Sequence, residues 1–169
     1  FESGSHRQYT TDDWLLNVDD PVTIIPDFFG GRLPVTDAAT AMDVVRNKVL
    51  RYERTAPMGS YRNRVMLVAD DNEQGAKDDQ LHWTHLAQTT LLDTLYTPTS
   101  FDRVYVYLHT YPDGPADTKP GAKNDIISNL NGEGVTMFNY IGHGSPFKMA
   151  DEGVFLSTDA GALTNSDRL

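Results

Sequence analysis

The chain has 169 residues, no cysteine and a formal net charge of −10. That length suffices for one domain with a sizeable core. The charge argues against general affinity for nucleic acid or anionic lipid, and the absence of cysteine excludes disulfides and thiolate metal sites within these residues. A hydrophobic share of 39% places the chain among globular rather than disordered sequences, and no stretch approaches the roughly 18 apolar residues of a membrane span.

In chain order, Phe1-Glu2-Ser3-Gly4-Ser5-His6 is neither a signal peptide nor an obvious domain start. Residues 1–27 are polar and read as loop, with a short strand near Trp14–Val18. Phe28–Leu33 is a second short strand candidate, closed by Pro34. The spacing of Met42, Val45, Val49 and Tyr52 predicts a helix over Asp37–Arg54 with one apolar face. Thr36 is its expected cap. The run RVMLVA, Arg64–Ala69, has no polar alternation, which suggests a strand covered on both faces.

An acidic loop follows over Asp70–Asp79, then a helix over Gln80–Leu95 with Trp83, Leu86, Ala87, Leu91 and Leu95 turned inward. Arg103–Leu108 is the next strand, and Tyr111–Gly121 is a Pro/Gly/Asp-rich loop. A third helix, Ala122–Leu130, carries Ile126, Ile127 and Leu130 and stops at Gly132 and Gly134. Val135–Ile141 is the last strand. Strands alternating with helices predict an α/β fold with a parallel sheet. The tail Thr164–Leu169 reads as a turn leading into another strand, so the chain is expected to be a piece of a larger protein.

Ligands of such sheets bind beyond the carboxyl ends of the strands. His143 stands there, two residues past the last strand and flanked by Gly142 and Gly144. Glycines allow close approach of backbone and substrate, and the Gly144 amide suits a developing oxyanion. The spacing fits a general base beside an oxyanion donor. A lone histidine on a glycine turn fits a structural role as well.

The segment YIGHGS, reached from NGEGVTMFN, resembles the catalytic-histidine segment of the gingipain family of cysteine peptidases. TDDW…DD, FFGGRLPV, VVRNKVLRYER, RVMLVADDN, LHW and LTNSD are similar to that family in the same order, so the resemblance spans nearly the whole chain. TDDW and GRLPVTDAATAMDVVRNKVLRYE look closer to the PorU-type peptidase of the Bacteroidetes type IX secretion system. The resemblance implies a three-layer, caspase-like α/β fold, its mostly parallel sheet flanked by helices. It also implies a Cys/His dyad and a protein or peptide substrate. His143 matches the dyad histidine, and Gly144 the residue whose amide helps form the oxyanion hole. Asp27, before the x-x-G-R stretch, is the candidate for orienting the histidine, although an aspartate after Pro26 is also a natural turn residue.

The family's nucleophile ends the next strand, farther along than the 26 residues that follow His143. Residues 1–169 are therefore expected to be a partial catalytic domain, inactive alone because dyad chemistry needs a thiol. The PorU-type likeness implies removal of C-terminal sorting domains at the surface of a Gram-negative cell, with transfer to an anchor as an extension and secretion-system components as partners. The alternative is a peptide-binding or scaffolding domain that has lost the nucleophile.

Other signals carry less. Ser145 lacks a G-x-S-x-G elbow and reads as a turn-capping hydroxyl. Asp70-Asp71 resembles the acidic pocket of receiver domains, but the later strand ends in Leu108-His109-Thr110 without the required aspartate. The cluster Asp70, Asp71, Glu73, Asp78 and Asp79 lacks EF-hand spacing and reads as a solvated loop. Calcium is the one cofactor it leaves open. His82 and His85 lie one helical turn apart, yet zinc needs a third ligand, and flanking a core stripe explains them as well. Tyr105 and Tyr107 read as core or half-core aromatics.

Overall fold

The computed structural model describes residues 16–19, 27, 28, 30, 32, 33, 35–71, 84–166 and 168. It divides into two compact units, Phe1–Val45 and Arg46–Leu169. In the first, Leu16 is helical and Val18 is a bend, so the described part of the Trp14–Val18 segment is not strand. Phe28, Gly30, Arg32 and Leu33 are likewise outside any strand. Phe28 is 61% exposed, so little apolar cover offsets the backbone entropy of the glycine pair.

Helix α1 opens at Ala38–Asp43, continues as a π-helical stretch Val44–Leu50 and ends with Arg51–Thr55. Asp37, not Thr36, caps it. Its carboxylate accepts from the Thr40 amide and hydroxyl, each at 2.8 Å, and these bonds hold its pKa below the usual carboxylate value. A charged acceptor at the positive end of the helix dipole outcompetes a hydroxyl. Met42, Val45 and Val49 recur as expected but are exposed.

The second unit is built on strands β1 (Arg64–Ala69), β2 (Asp102–Tyr107) and β3 (Met137–Ile141). They form a parallel sheet of order β2-β1-β3, with Val65 opposite Met137 and Ala69 opposite Ile141. Between them run α2 (His85–Tyr96) and α3 (Pro120–Asn131). The expected α/β class is the observed one, with a three-stranded parallel sheet flanked by helices among the described residues.

Strand β1 is buried from Val65 to Ala69, the reason its sequence is apolar without alternation. Met66 and Val68 pack with Val106 and Leu108 and with Ala122, Ile126 and Leu130 of α3. Helix α2 packs on β1 and β3, and none of its residues joins that cluster. Ile126 is fully buried, so Ile126→Ala should cost about 2–5 kcal/mol through lost transfer energy and a cavity. A denaturant melt of the variant checks this.

Helix α2 is turned from its expected orientation. Leu91 and Leu95 are 52% and 64% exposed, whereas Thr89 is fully buried. The inward stripe also carries Asp93, which accepts from Arg103 Nε and from the Tyr105 hydroxyl, each at 2.7 Å. A polar residue with two strong partners is drawn inward, so the covered side of the helix runs through Thr89 and Asp93 rather than Leu91 and Leu95. Tyr105 serves this pairing while 46% exposed, so it is not core. Thr89 tolerates burial because its hydroxyl donates to the His85 carbonyl at 2.8 Å. Trp83 and His82 lie outside the described residues.

Beyond β3 the chain makes a small antiparallel sheet of β4 (Gly144–Ser145), β5 (Lys148–Met149) and β6 (Phe155–Leu156), followed by the short helix α4 (Ser157–Ala160). The Ser145 hydroxyl accepts from the Phe147 amide at 3.2 Å, a turn-capping role. No helix among the described residues is long and apolar enough to cross a membrane.

Candidate functional site

Because Ala69 and Ile141 are direct partners in a parallel ladder, the residues that leave β1 and β3 emerge side by side. Asp70 begins the first exit. Its amide donates to the Ile141 carbonyl at 3.0 Å, extending the ladder by one bond. Its carboxylate is buried, with the side chain only 3% exposed. One oxygen accepts the His143 amide at 2.7 Å and lies 3.4 Å from His143 Nδ1.

His143 is therefore pinned by its backbone while its ring is 68% exposed. Its carbonyl accepts from the Ala150 amide at 3.0 Å and from the Tyr140 hydroxyl. Burial, then the Asp70 charge, push the Tyr140 phenol well above its ordinary pKa, so it remains a donor. An imidazole with a fixed root, a carboxylate at Nδ1 and an open face is arranged to accept protons from something arriving in solution.

Gly142 makes this approach sterically possible. A Cβ at position 142 would stand 2.2 Å from Asp70 Cβ and 2.4 Å from the Tyr140 hydroxyl oxygen. Space, not a left-handed backbone, demands glycine here. Gly144 pairs with Met149 across β4 and β5. The adjacent His143–Ala150 bond makes Gly144–Met149 the non-exchanging kind of antiparallel pair, so the Gly144 amide points away from β5. Position 144 is tight as well, since a Cβ there would meet the Lys148 carbonyl oxygen at 3.1 Å.

Asp27 lies in the first unit. Its carboxylate accepts the amides of Val18 at 2.8 Å and Asp19 at 3.1 Å, and its own amide donates to Leu16 at 3.0 Å. It closes a loop there. The acid beside His143 is Asp70, a residue whose sequence context reads as solvated loop. Its position directly after an all-apolar strand puts it at the strand end, but the sequence does not show that it meets His143.

A second histidine also reaches the site. His85 is the first residue of α2, placed by the Thr84 cap whose hydroxyl accepts the Ala87 amide at 3.0 Å. Its ring meets that of His143 edge-on, centroids 4.8 Å apart at 84°. Asp70, His85 and His143 each bring a ligand atom within 4.8 Å of the others.

Behind Asp70, Asp71 pairs with Lys119 at 3.0 Å, and Lys119 also pairs with Asp113 at 2.7 Å. Asp71 Oδ1 and Glu152 Oε2 are buried without a hydrogen-bond partner among the described residues. Burial and the neighbouring Asp71 and Asp70 carboxylates push the Glu152 carboxyl up to about 7. A raised carboxyl pKa favours the folded state while protonated. This stability is present below the unfolded value of 4.5 and is lost as pH rises toward 7. Glu152→Gln should therefore raise the melting temperature at pH 8 by a few degrees and leave it nearly unchanged at about pH 4. Thermal melts at both values check it.

Comparison with curated proteins and with solved structures returns no match. The family model described as Peptidase family C25 matches residues 2–169. With a histidine at the carboxyl end of a parallel sheet, a buried carboxylate at its Nδ1 and nearly every residue inside that match, the chain belongs to Peptidase family C25, the cysteine peptidases of the gingipain family.

Proposed function

We propose that this chain supplies the histidine half of a Cys/His peptidase centre whose thiol lies outside these 169 residues, which contain no cysteine. The observation that supports it most is the Asp70–His143 pair at the strand ends. Asp70 holds the proton on Nδ1, which leaves the Nε2 lone pair to accept a thiol proton. The thiolate attacks the scissile carbonyl and forms a thioester. His143 then returns the proton to the leaving amine. The Gly144 amide, directed away from β5, donates to the oxyanion. The Nδ1 contact at 3.4 Å is longer than a hydrogen bond, and such contacts commonly tighten on substrate binding. Asp27 accepts the Val18 and Asp19 amides at its own turn.

The substrate class we propose is the C-terminal sorting domain of exported proteins at the surface of a Gram-negative cell, handled together with secretion-system components. Its support is the likeness of TDDW and GRLPVTDAATAMDVVRNKVLRYE to the PorU-type peptidases. Without a thiol, the 169-residue chain alone hydrolyses no peptide. The test is to incubate the full-length gene product with an exported protein carrying its sorting domain. Cleavage at the domain junction, lost in His143→Ala, is expected. Cleavage only at internal sites would reject the sorting role, and no thiol-dependent cleavage would favour a binding module.

A further inference from the structure

We propose that Asp70, His85 and His143 form a zinc site that shuts the catalytic centre while the metal is bound. Two imidazoles and a carboxylate with an open fourth position are a zinc donor set, and imidazole nitrogen donors argue against calcium, which takes oxygen ligands. Their ligand atoms already lie within 4.8 Å of one another. A tetrahedral ion with bonds of about 2.0–2.1 Å needs donors roughly 3.3 Å apart. The gap closes by turning His143, whose ring is 68% exposed, while Asp70 stays fixed.

His85 gives the independent indication. Its Nδ1 is buried and has no hydrogen-bond partner among the described residues, although buried ring nitrogens are normally satisfied. Its ring has no place in the dyad chemistry, yet α2 presents it edge-on to His143. Asp71 and Glu152 lie beside Asp70, and the net charge of −10 favours a cation at this rim.

The consequence for catalysis rests on the peptidase reading, while the binding does not. Imidazole has two nitrogens, and the base needs a free pair on Nε2 with its proton on Nδ1. Zinc on Nε2 occupies that pair. Zinc on Nδ1 displaces the Nδ1 proton to Nε2 and again leaves no acceptor. In both cases the ion sheds water ligands and His143 can no longer take the thiol proton. The open fourth position suits the nucleophile thiolate itself.

Calorimetric titration of the 169-residue chain with zinc chloride tests the site, with cobalt(II) absorption as a second readout. One ion per chain is expected, with the visible bands of a four-coordinate site and a raised melting temperature. His85→Ala and His143→Ala should each weaken binding at least about tenfold, as loss of one ligand does. His143→Ala removes an exposed ring and keeps the fold should His85→Ala lose it. His109→Ala and Glu152→Gln should bind like the parent. No binding at micromolar zinc, full binding in both His85 and His143 variants, or loss in Glu152→Gln would overturn the proposal. Peptidase activity of the full-length product, measured with a chelator present, reports separately on the catalytic reading.

Discussion

In the full-length peptidase, Asp70→Asn is expected to lower kcat for peptide hydrolysis by about 10²–10⁴-fold with little change in KM. The substitution keeps an oxygen that can accept the His143 amide, now 2.7 Å from Oδ2. It removes the charge that favours a proton on Nδ1 and stabilises the imidazolium formed when the thiol is deprotonated. A loss confined to kcat, with an unchanged melt, is the signature of an orienting carboxylate. Asp70→Ala should lose the same activity and also stability, because the amide of a pinned turn loses its acceptor and a buried space is left. Nitrogen-15 chemical shifts give a readout independent of turnover. The Nδ1–H tautomer should dominate neutral His143 in the parent chain, and the Nε2–H tautomer in Asp70→Ala.

Among the described glycines, Gly142→Ala is expected to be the most damaging substitution. The new carbon would stand 2.2 Å from Asp70 Cβ, and neither atom sits at the end of a flexible side chain. Strand β1 must move away from the β3 exit, or the turn must unwind. Either movement separates Asp70 from His143. The cost should reach the upper end of the roughly 1–3 kcal/mol typical of overpacking, lowering the melting temperature by several degrees. Peptidase activity should fall as far as in Asp70→Ala. Gly144→Ala comes no nearer than 3.1 Å to its closest neighbour, the Lys148 carbonyl oxygen, and should destabilise less. Differential scanning calorimetry of the two variants ranks them.

The signals that are local in the sequence are legible. RVMLVA announces a doubly covered strand because burial on both faces removes polar alternation, and Val65–Ala69 are all buried. His143 stands out because a strand end, two glycines and a histidine are contiguous. Asp70 and His85 are not legible as site residues. Asp70 lies 73 positions from His143 and meets it only through parallel pairing of β1 with β3. No spacing rule reports such a meeting, and an aspartate pair opening an acidic run looks like solvated loop.

His85 depends on how α2 is turned. The stripe through Leu91 and Leu95 suggests one face, but Asp93 is drawn inward by Arg103 and Tyr105. Side-chain pairing across elements, invisible in periodicity, fixes the rotation and thereby the direction of His85. The cap of α1 escapes the sequence for a smaller reason: Thr36 and Asp37 are adjacent, and only the observed bonds to Thr40 distinguish them.

Activation of a thiol by His143 can be followed without a substrate. In the full-length gene product, the rate at which iodoacetamide alkylates the nucleophile should be measured against pH in the parent and in His143→Ala. An imidazole-paired thiol reacts well below the ordinary cysteine pKa of about 8.5. The parent is therefore expected to react rapidly near pH 6–7, and the variant only as the pH nears that ordinary value. Superimposable profiles in the two proteins would contradict the assignment of His143 as the base.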